Sequence, residues 1–144
     1  IIHLCGKGNI DKLYNNRSGY VQFEYAGKEL RDMFALSSLV ISRAGANAIC
    51  ELLALHKPNI LIPLSAAASR GDQILNARSF EKQGYSYVIE EENLTKETLD
   101  AAIKKVMTEK ETYISNMKSS QQLDSIHTIL DLIEKASEKK KKKA

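Results

Sequence analysis

One stretch of the sequence joins a small-residue turn to a carboxylate at a fixed distance: Ser42-Arg43-Ala44-Gly45-Ala46-Asn47-Ala48-Ile49-Cys50-Glu51. It follows an apolar run and opens a segment of helical periodicity. At such a strand-to-helix turn, Gly45 allows close backbone approach and a free choice of φ. The unpaired amides of the helix start, around Gly45, Ala46 and Asn47, point outward and favour an anion such as a phosphate. Glu51 lies six residues beyond Gly45, about one and two-thirds turns of helix. A carboxylate there can accept hydrogen bonds from both hydroxyls of a vicinal diol such as a ribose. An ordinary helix carboxylate beside a cap-like glycine is written with the same letters.

A second loop, Pro63 to Gly71, is long and rich in small residues, and it precedes another helical segment. Loops of this kind in α/β domains are usually functional or mobile. Asp72 and Gln73 stand at the helix start. Asp72 can serve there simply as a cap, or the pair can bind sugar hydroxyls, with Asn76 on the same side one turn later. Gly6-Lys7-Gly8 has neither the spacing nor the Lys-Ser/Thr ending of a phosphate loop. His3, His56 and His127 are far apart in sequence with no partnered nucleophile and read as core or surface residues. Cys5 and Cys50 lack metal-type spacing and read as reduced thiols packed in a core.

The elements that must position these residues alternate. Apolar runs at Ile1–Cys5, Tyr20–Tyr25, Leu39–Ser42, Asn59–Pro63 and Tyr85–Ile89 are strand candidates. Helical periodicity appears at Glu29–Leu36, Ala46–Leu55, Gln73–Gln83 and Lys96–Met107. Alternation implies right-handed crossovers and an α/β fold: a Rossmann-like parallel sheet with helices on both faces, whose ligands bind beyond the carboxyl ends of the strands. The 144 residues, 43% of them hydrophobic, fit one globular unit. We divide them into an α/β domain over 1–117, an amphipathic helix over 118–138 carrying Leu123, Ile126, Leu130 and Ile133, and a lysine tail over 139–144. Ile1 stands inside an apolar run, which points to a fragment or a processed chain.

The net charge of +3 does not mark a nucleic-acid binder. Without the five lysines at 139–143, 16 basic residues face 18 acidic ones, and a terminal lysine run reads as a solvated tail. No apolar run approaches the ~20 residues that span a bilayer, and no signal segment is written.

The segments SRAGANAICELLAL, KPNILIPL and SRGDQILNARSFEKQGYSYVIEEENLT resemble, in order, the C-terminal domain of the MurG-type undecaprenyl-diphospho-muramoylpentapeptide β-N-acetylglucosaminyltransferase family. The resemblance runs from HLCGKGN to about Met107. It implies the donor half of a two-domain GT-B glycosyltransferase, cytoplasmic and peripheral on the cell membrane, that inverts the anomeric centre and needs no cofactor or metal. This half would bind UDP-GlcNAc, and a preceding half would bind the lipid-linked acceptor of peptidoglycan synthesis. The domain's first strand and helix would also precede Ile1.

Carried over residue by residue, Glu51 matches the acid that holds the ribose hydroxyls, and Gly45 with Ala46 matches the diphosphate turn. Asp72 and Gln73 match a pair that contacts GlcNAc, although the family often has Gln-Gln there. Asn76 falls near the sugar, and Leu30 near the nucleotide. The Ala26–Lys28 loop, with Gly27, would offer backbone groups to uracil across a length difference. No residue matches a base for the acceptor hydroxyl. A non-catalytic donor-binding subunit that needs a separate acceptor-binding chain is the alternative, and an open sheet edge makes a homo-oligomer conceivable. A nucleotide-sugar epimerase shares the architecture but calls for an acid/base constellation that the sequence lacks.

Overall fold

Phe80-to-Ile89 shows how locally these elements are specified: a helix ends at Lys82, Gly84 turns with φ +70, and the chain re-enters a sheet at Tyr87. The computed structural model of the chain describes residues 1–120 and Ile133. The contacts divide it into two units, Ile1–Val40 and the chain from Ile41 onward, where a single unit was expected. The hydrogen-bonded strands divide likewise into two groups.

In the first unit, β1 (Ile2–Leu4) pairs in parallel with β2 (Val21–Phe23) in the register Ile2 to Val21, His3 to Gln22 and Leu4 to Phe23. Their connection carries a single 3-10 turn over Lys12–Tyr14 that no periodicity in the sequence announces. The Asp11 carboxylate caps it, accepting the Leu13 N–H at 2.9 Å, and the Gln22 side chain binds both backbone groups of Asp11. In the Gly6-Lys7-Gly8 loop, the Gly8 N–H donates to Glu24 at 2.8 Å. A carboxylate of the chain itself thus takes this amide. The helix α1 (Leu30–Leu36) follows.

β3 (Val40–Ser42), β4 (Asn59–Leu61) and β5 (Tyr87–Val88) form the second sheet in the order β3-β4-β5, with β4 and β5 parallel. Every residue of β4 is buried, and successive side chains on a strand face opposite ways, so both faces of the sheet are covered. The covering helices are α2 (Ala46–Ala54), α3 (Asp72–Lys82) and α4 (Lys96–Thr108), the last followed by α5 (Lys110–Lys118). α3 packs on β5 and α4 on β4. Leu52, Ile60, Leu61, Val106 and Met117 fill the interior, and Ala44, Ala77 and Ala102 are fully enclosed where elements approach closely. α4 opens on a capping box in which Thr95 and Thr98 each accept the other's backbone N–H.

Helix α2 separates its faces cleanly. Ile49, Leu52 and Leu53 are buried, while Ala46, Asn47, Cys50, Glu51 and Ala54 are exposed. The expectation that both cysteines pack in a core is therefore corrected: Cys50 lies on the outer face, and Cys5 is only partly covered. Apart from Lys118, Ser119, Ser120 and Ile133, the helix expected over 118–138 lies outside the described residues, as does the lysine tail. Among the described residues, no helix is long and apolar enough to cross a membrane.

Candidate functional site

The carboxyl ends of β3 and β4 each lead into a helix start, and the predicted residues of the second unit gather there. Gly45 is the N-cap of α2 with φ −66 and ψ 141. That is ordinary extended backbone, so freedom of φ is not why glycine stands here, contrary to the reading of the sequence alone. A Cβ built on Gly45 would meet nothing within 4 Å and would project into open space, so no contact within the described protein requires glycine there either. The hydrogen bonds of α2 begin with the Ile49 N–H to the Gly45 carbonyl at 3.1 Å, and no side chain caps the helix. The amides of Ala46, Asn47 and Ala48 are left for an outside acceptor.

Asn47 and Glu51 stand four residues apart on the exposed face of α2, one turn from each other. Neither side chain bonds to another described residue. Between the Ala46 amide and Glu51 the helix rises about 7.5 Å, a span suited to a ligand with an anionic group at one end and hydroxyls further along.

The start of α3 comes from a glycine that does need its freedom. Gly71 is the N-cap in the left-handed region at φ +85, and it makes no side-chain cap bond. Asp72 is the first helical residue and exposed, so the capping reading of its carboxylate is excluded. Gln73 accepts the Leu64 N–H through Oε1 at 3.2 Å. Asn76 donates through Nδ2 to the Ala44 carbonyl at 3.0 Å, across 32 residues of sequence. Asn76 thus joins α3 to the Gly45 turn, while Gln73 fastens the loop that follows β4. Among the described residues, no hydrogen bond engages the Gln73 amide NH2 or the Asn76 side-chain carbonyl.

Gly27 and Leu30 belong to the first unit. The Gly27 N–H donates to Glu29 Oε2 at 3.1 Å, and its carbonyl accepts the Leu30 N–H at 3.2 Å. Both backbone groups take part in the turn into α1; the carbonyl, which accepts one hydrogen bond there, has a second lone pair. Leu30, half-buried, is the first residue of α1.

Two residues escaped the sequence reading. Arg43 pairs with Glu91 at 2.8 Å and also donates to the Ile62 carbonyl at 3.2 Å. The other oxygen of Glu91 accepts the Ser65 N–H at 3.1 Å. In sequence, Glu91 is one member of a Glu90-Glu91-Glu92 run, which reads as a solvated face; only its 48-residue separation from Arg43, closed by the fold, reveals the pair.

The Ser65 amide, and after it Arg43, holds the Glu91 carboxyl below the usual carboxylate range. A depressed carboxylate pKa contributes stability that is fully present above the unfolded value of about 4.3 and is lost as pH falls through the folded value. Thermal melts of wild type and Glu91→Gln against pH should therefore differ most near neutrality. The gap should close under acid; a gap independent of pH would contradict the assignment.

Parallel pairs of strands, with β4 buried on both faces and with helices that start beyond the carboxyl ends of β3 and β4, define a Rossmann-like α/β domain. Residues 1–141 match the model of the glycosyltransferase family 28 C-terminal domain. The chain belongs to that family. It is 64% identical over 134 residues, 93% of its length, to the UDP-N-acetylglucosamine--N-acetylmuramyl-(pentapeptide) pyrophosphoryl-undecaprenol N-acetylglucosamine transferase of Lachnoclostridium phytofermentans. The protein of the same name from Lachnospira eligens is 62% identical over 133 residues, 92% of the chain. The chain spans 38% of the length of each of these curated relatives. The crystal structure of Acinetobacter baumannii MurG superimposes with a TM-score of 0.73 over 94% of the chain and 40% of that protein, at 22% identity, which establishes the shared fold.

Proposed function

We propose that this chain is the UDP-GlcNAc-binding part of an inverting glycosyltransferase that adds GlcNAc to lipid-linked muramoyl-pentapeptide in peptidoglycan synthesis, peripheral on the cytoplasmic face of the cell membrane. The observation that carries the reading is the exposed face of α2, where an uncapped helix start, an open Gly45 and a Glu51 that bonds to no described residue follow one another along one side. The names of the relatives supply the substrate class.

In this reading the amides of Ala46 to Ala48 receive the diphosphate, and Glu51 accepts the ribose hydroxyls. Asp72, the free amide of Gln73 and the free carbonyl of Asn76 bind hydroxyls of GlcNAc. As the acceptor hydroxyl attacks the anomeric carbon, the bond to the β-phosphate oxygen breaks and negative charge grows on the departing UDP. The fixed amides and dipole of the helix start stabilise that charge at no cost in reorganisation. The sugar contacts orient the anomeric carbon for attack from the opposite face. The acceptor and the base that takes its proton are the business of another half of the enzyme.

Calorimetric titration of UDP-GlcNAc into the chain tests this, with saturable binding expected and UDP competing. No binding of either would overturn the proposal. Transfer of GlcNAc to a lipid-linked acceptor by the chain alone would overturn the division of labour. Gly45→Ala serves as a local probe: its methyl would enter open space at permissive backbone angles, so melting should change little while the affinity for UDP falls about tenfold, roughly 1.4 kcal/mol. Unchanged affinity would remove the diphosphate from this turn.

A further inference from the structure

At the carboxyl ends of the second sheet, one guanidinium and one carboxylate fasten backbone segments that lie beyond the strand ladders. Arg43 leaves β3 two residues before Gly45. Its Nη1 reaches the Ile62 carbonyl just past the end of β4, and its Nη2 reaches Glu91 in the 3-10 turn over Glu91–Asn93 that follows β5. Glu91 in turn accepts the N–H of Ser65 in the loop before α3. One ion pair therefore spans the connections that follow β3, β4 and β5.

The neighbouring bonds end on the same backbone. Ala44 is held by Asn76, and Leu64 by Gln73. Ala44 before the Gly45 turn, and Leu64 and Ser65 at the entry of the Ser65–Gly71 loop, thus each have a side chain bonded to them from elsewhere in the fold. With side chains 48% and 34% exposed, an ion pair of this kind adds little to folding stability. Its value is geometric. A carboxylate that bridges a guanidinium and a backbone amide sets two loops at a fixed separation, as a site built on loops requires.

We infer that Arg43 and Glu91 are positioning residues of the donor site: they touch no ligand, and hold the Gly45 turn and the Ser65–Gly71 loop in the arrangement that receives one. The inference rests on the donor-binding reading above. Without the pair, binding must order both loops, and that cost appears in affinity.

The test uses the full chain and compares wild type, Arg43→Gln, Glu91→Ala, the double variant and Glu91→Gln. UDP-GlcNAc affinity is measured by calorimetry, melting temperature by calorimetric scan, and backbone exchange of residues 64–71 by hydrogen–deuterium exchange without ligand. Each single variant should bind about tenfold more weakly, and the double variant no more weakly than the singles, because the two groups act as one unit. Glu91→Gln keeps an acceptor for the Ser65 amide and should fall between wild type and Glu91→Ala. Melting temperatures should stay within a few degrees, and exchange over 64–71 should quicken in Glu91→Ala.

Wild-type affinity in the single variants would overturn the inference. So would additive losses in the double variant, or losses that simply track a large fall in melting temperature. Failure of wild type to bind UDP-GlcNAc would overturn the donor reading and the positioning role with it; the ligand-free exchange then decides separately whether the pair holds the loop, unchanged exchange in Glu91→Ala showing that it does not.

Discussion

Glu51→Ala is expected to weaken UDP-GlcNAc binding by roughly 30- to 100-fold while leaving the fold as stable as before. The carboxylate is exposed on α2 and bonds to no described residue, so its removal breaks nothing within the protein. Alanine is also the better helix former, and the change in stability should stay within about 0.5 kcal/mol. In the complex, two hydroxyls donate to one exposed, charged acceptor, and a hydrogen bond to a charged group contributes about 1.5–3 kcal/mol net of its exchange with water. A net loss of about 2–2.8 kcal/mol gives the stated range. Glu51→Gln retains one acceptor oxygen and should lie between. The ligand provides the cross-check: 2′-deoxy-UDP should bind more weakly than UDP to wild type, and the difference should shrink in Glu51→Ala. Calorimetry that finds the same affinity in wild type and Glu51→Ala would remove ribose recognition from this residue.

That residue was legible because its signal is local. The turn, the helix and the carboxylate all fall within ten residues, and the buried set Ile49, Leu52 and Leu53 fixes by periodicity which way Glu51 faces. The same holds for β4, where an apolar run between Pro58 and Pro63 gave a buried strand, and for α2, α3 and α4, whose bounds agree with the periodicity to within a residue. Strand ends were less legible, because pairing and not residue type decides them. Tyr85 is apolar enough to read as strand, yet its N–H bonds to the Phe80 carbonyl at the end of α3, and the ladder begins only at Tyr87.

What the sequence hid are the long-range polar bonds. The partner of Asn76 is a backbone carbonyl 32 residues away, so the reading that placed Asn76 beside a sugar missed that half of its amide is already engaged at Ala44. Arg43 and Glu91 carry no mark of their pairing, since a surface charge is written the same whether it is solvated or clamped. Of the two properties for which Gly45 was noticed, freedom of φ falls away because its backbone angles suit any residue, and close approach stays open because the space beside it is empty, which only coordinates reveal. Local pattern identified the groups that face outward; the groups that hold them in place became visible only once the chain had closed on itself.

Leu61→Ala is expected to be the most damaging of these substitutions to stability, and to act without touching the site directly. Leu61 is fully enclosed in β4, the middle strand of the second sheet, paired in register with Val88, and its carbonyl accepts the Ile89 N–H at 3.0 Å. Truncation removes buried methyl groups and leaves a cavity that strands on both sides keep from collapsing, a loss of about 3–4 kcal/mol. For a unit of this size each kcal/mol shifts the melting point by roughly 4–8 °C, so a fall of more than about 12 °C should be seen. Leu75→Ala is the control on the same chemistry: Leu75 lies on α3 with 72% of its surface exposed, and its loss should change stability by about 0.5 kcal/mol or less. At a temperature where Leu61→Ala remains folded, its affinity for UDP-GlcNAc should match wild type, because the helix starts that face the ligand are held from the loops and not from this side chain. Equal melting points for Leu61→Ala and Leu75→Ala would contradict the placement of β4 at the centre of the core.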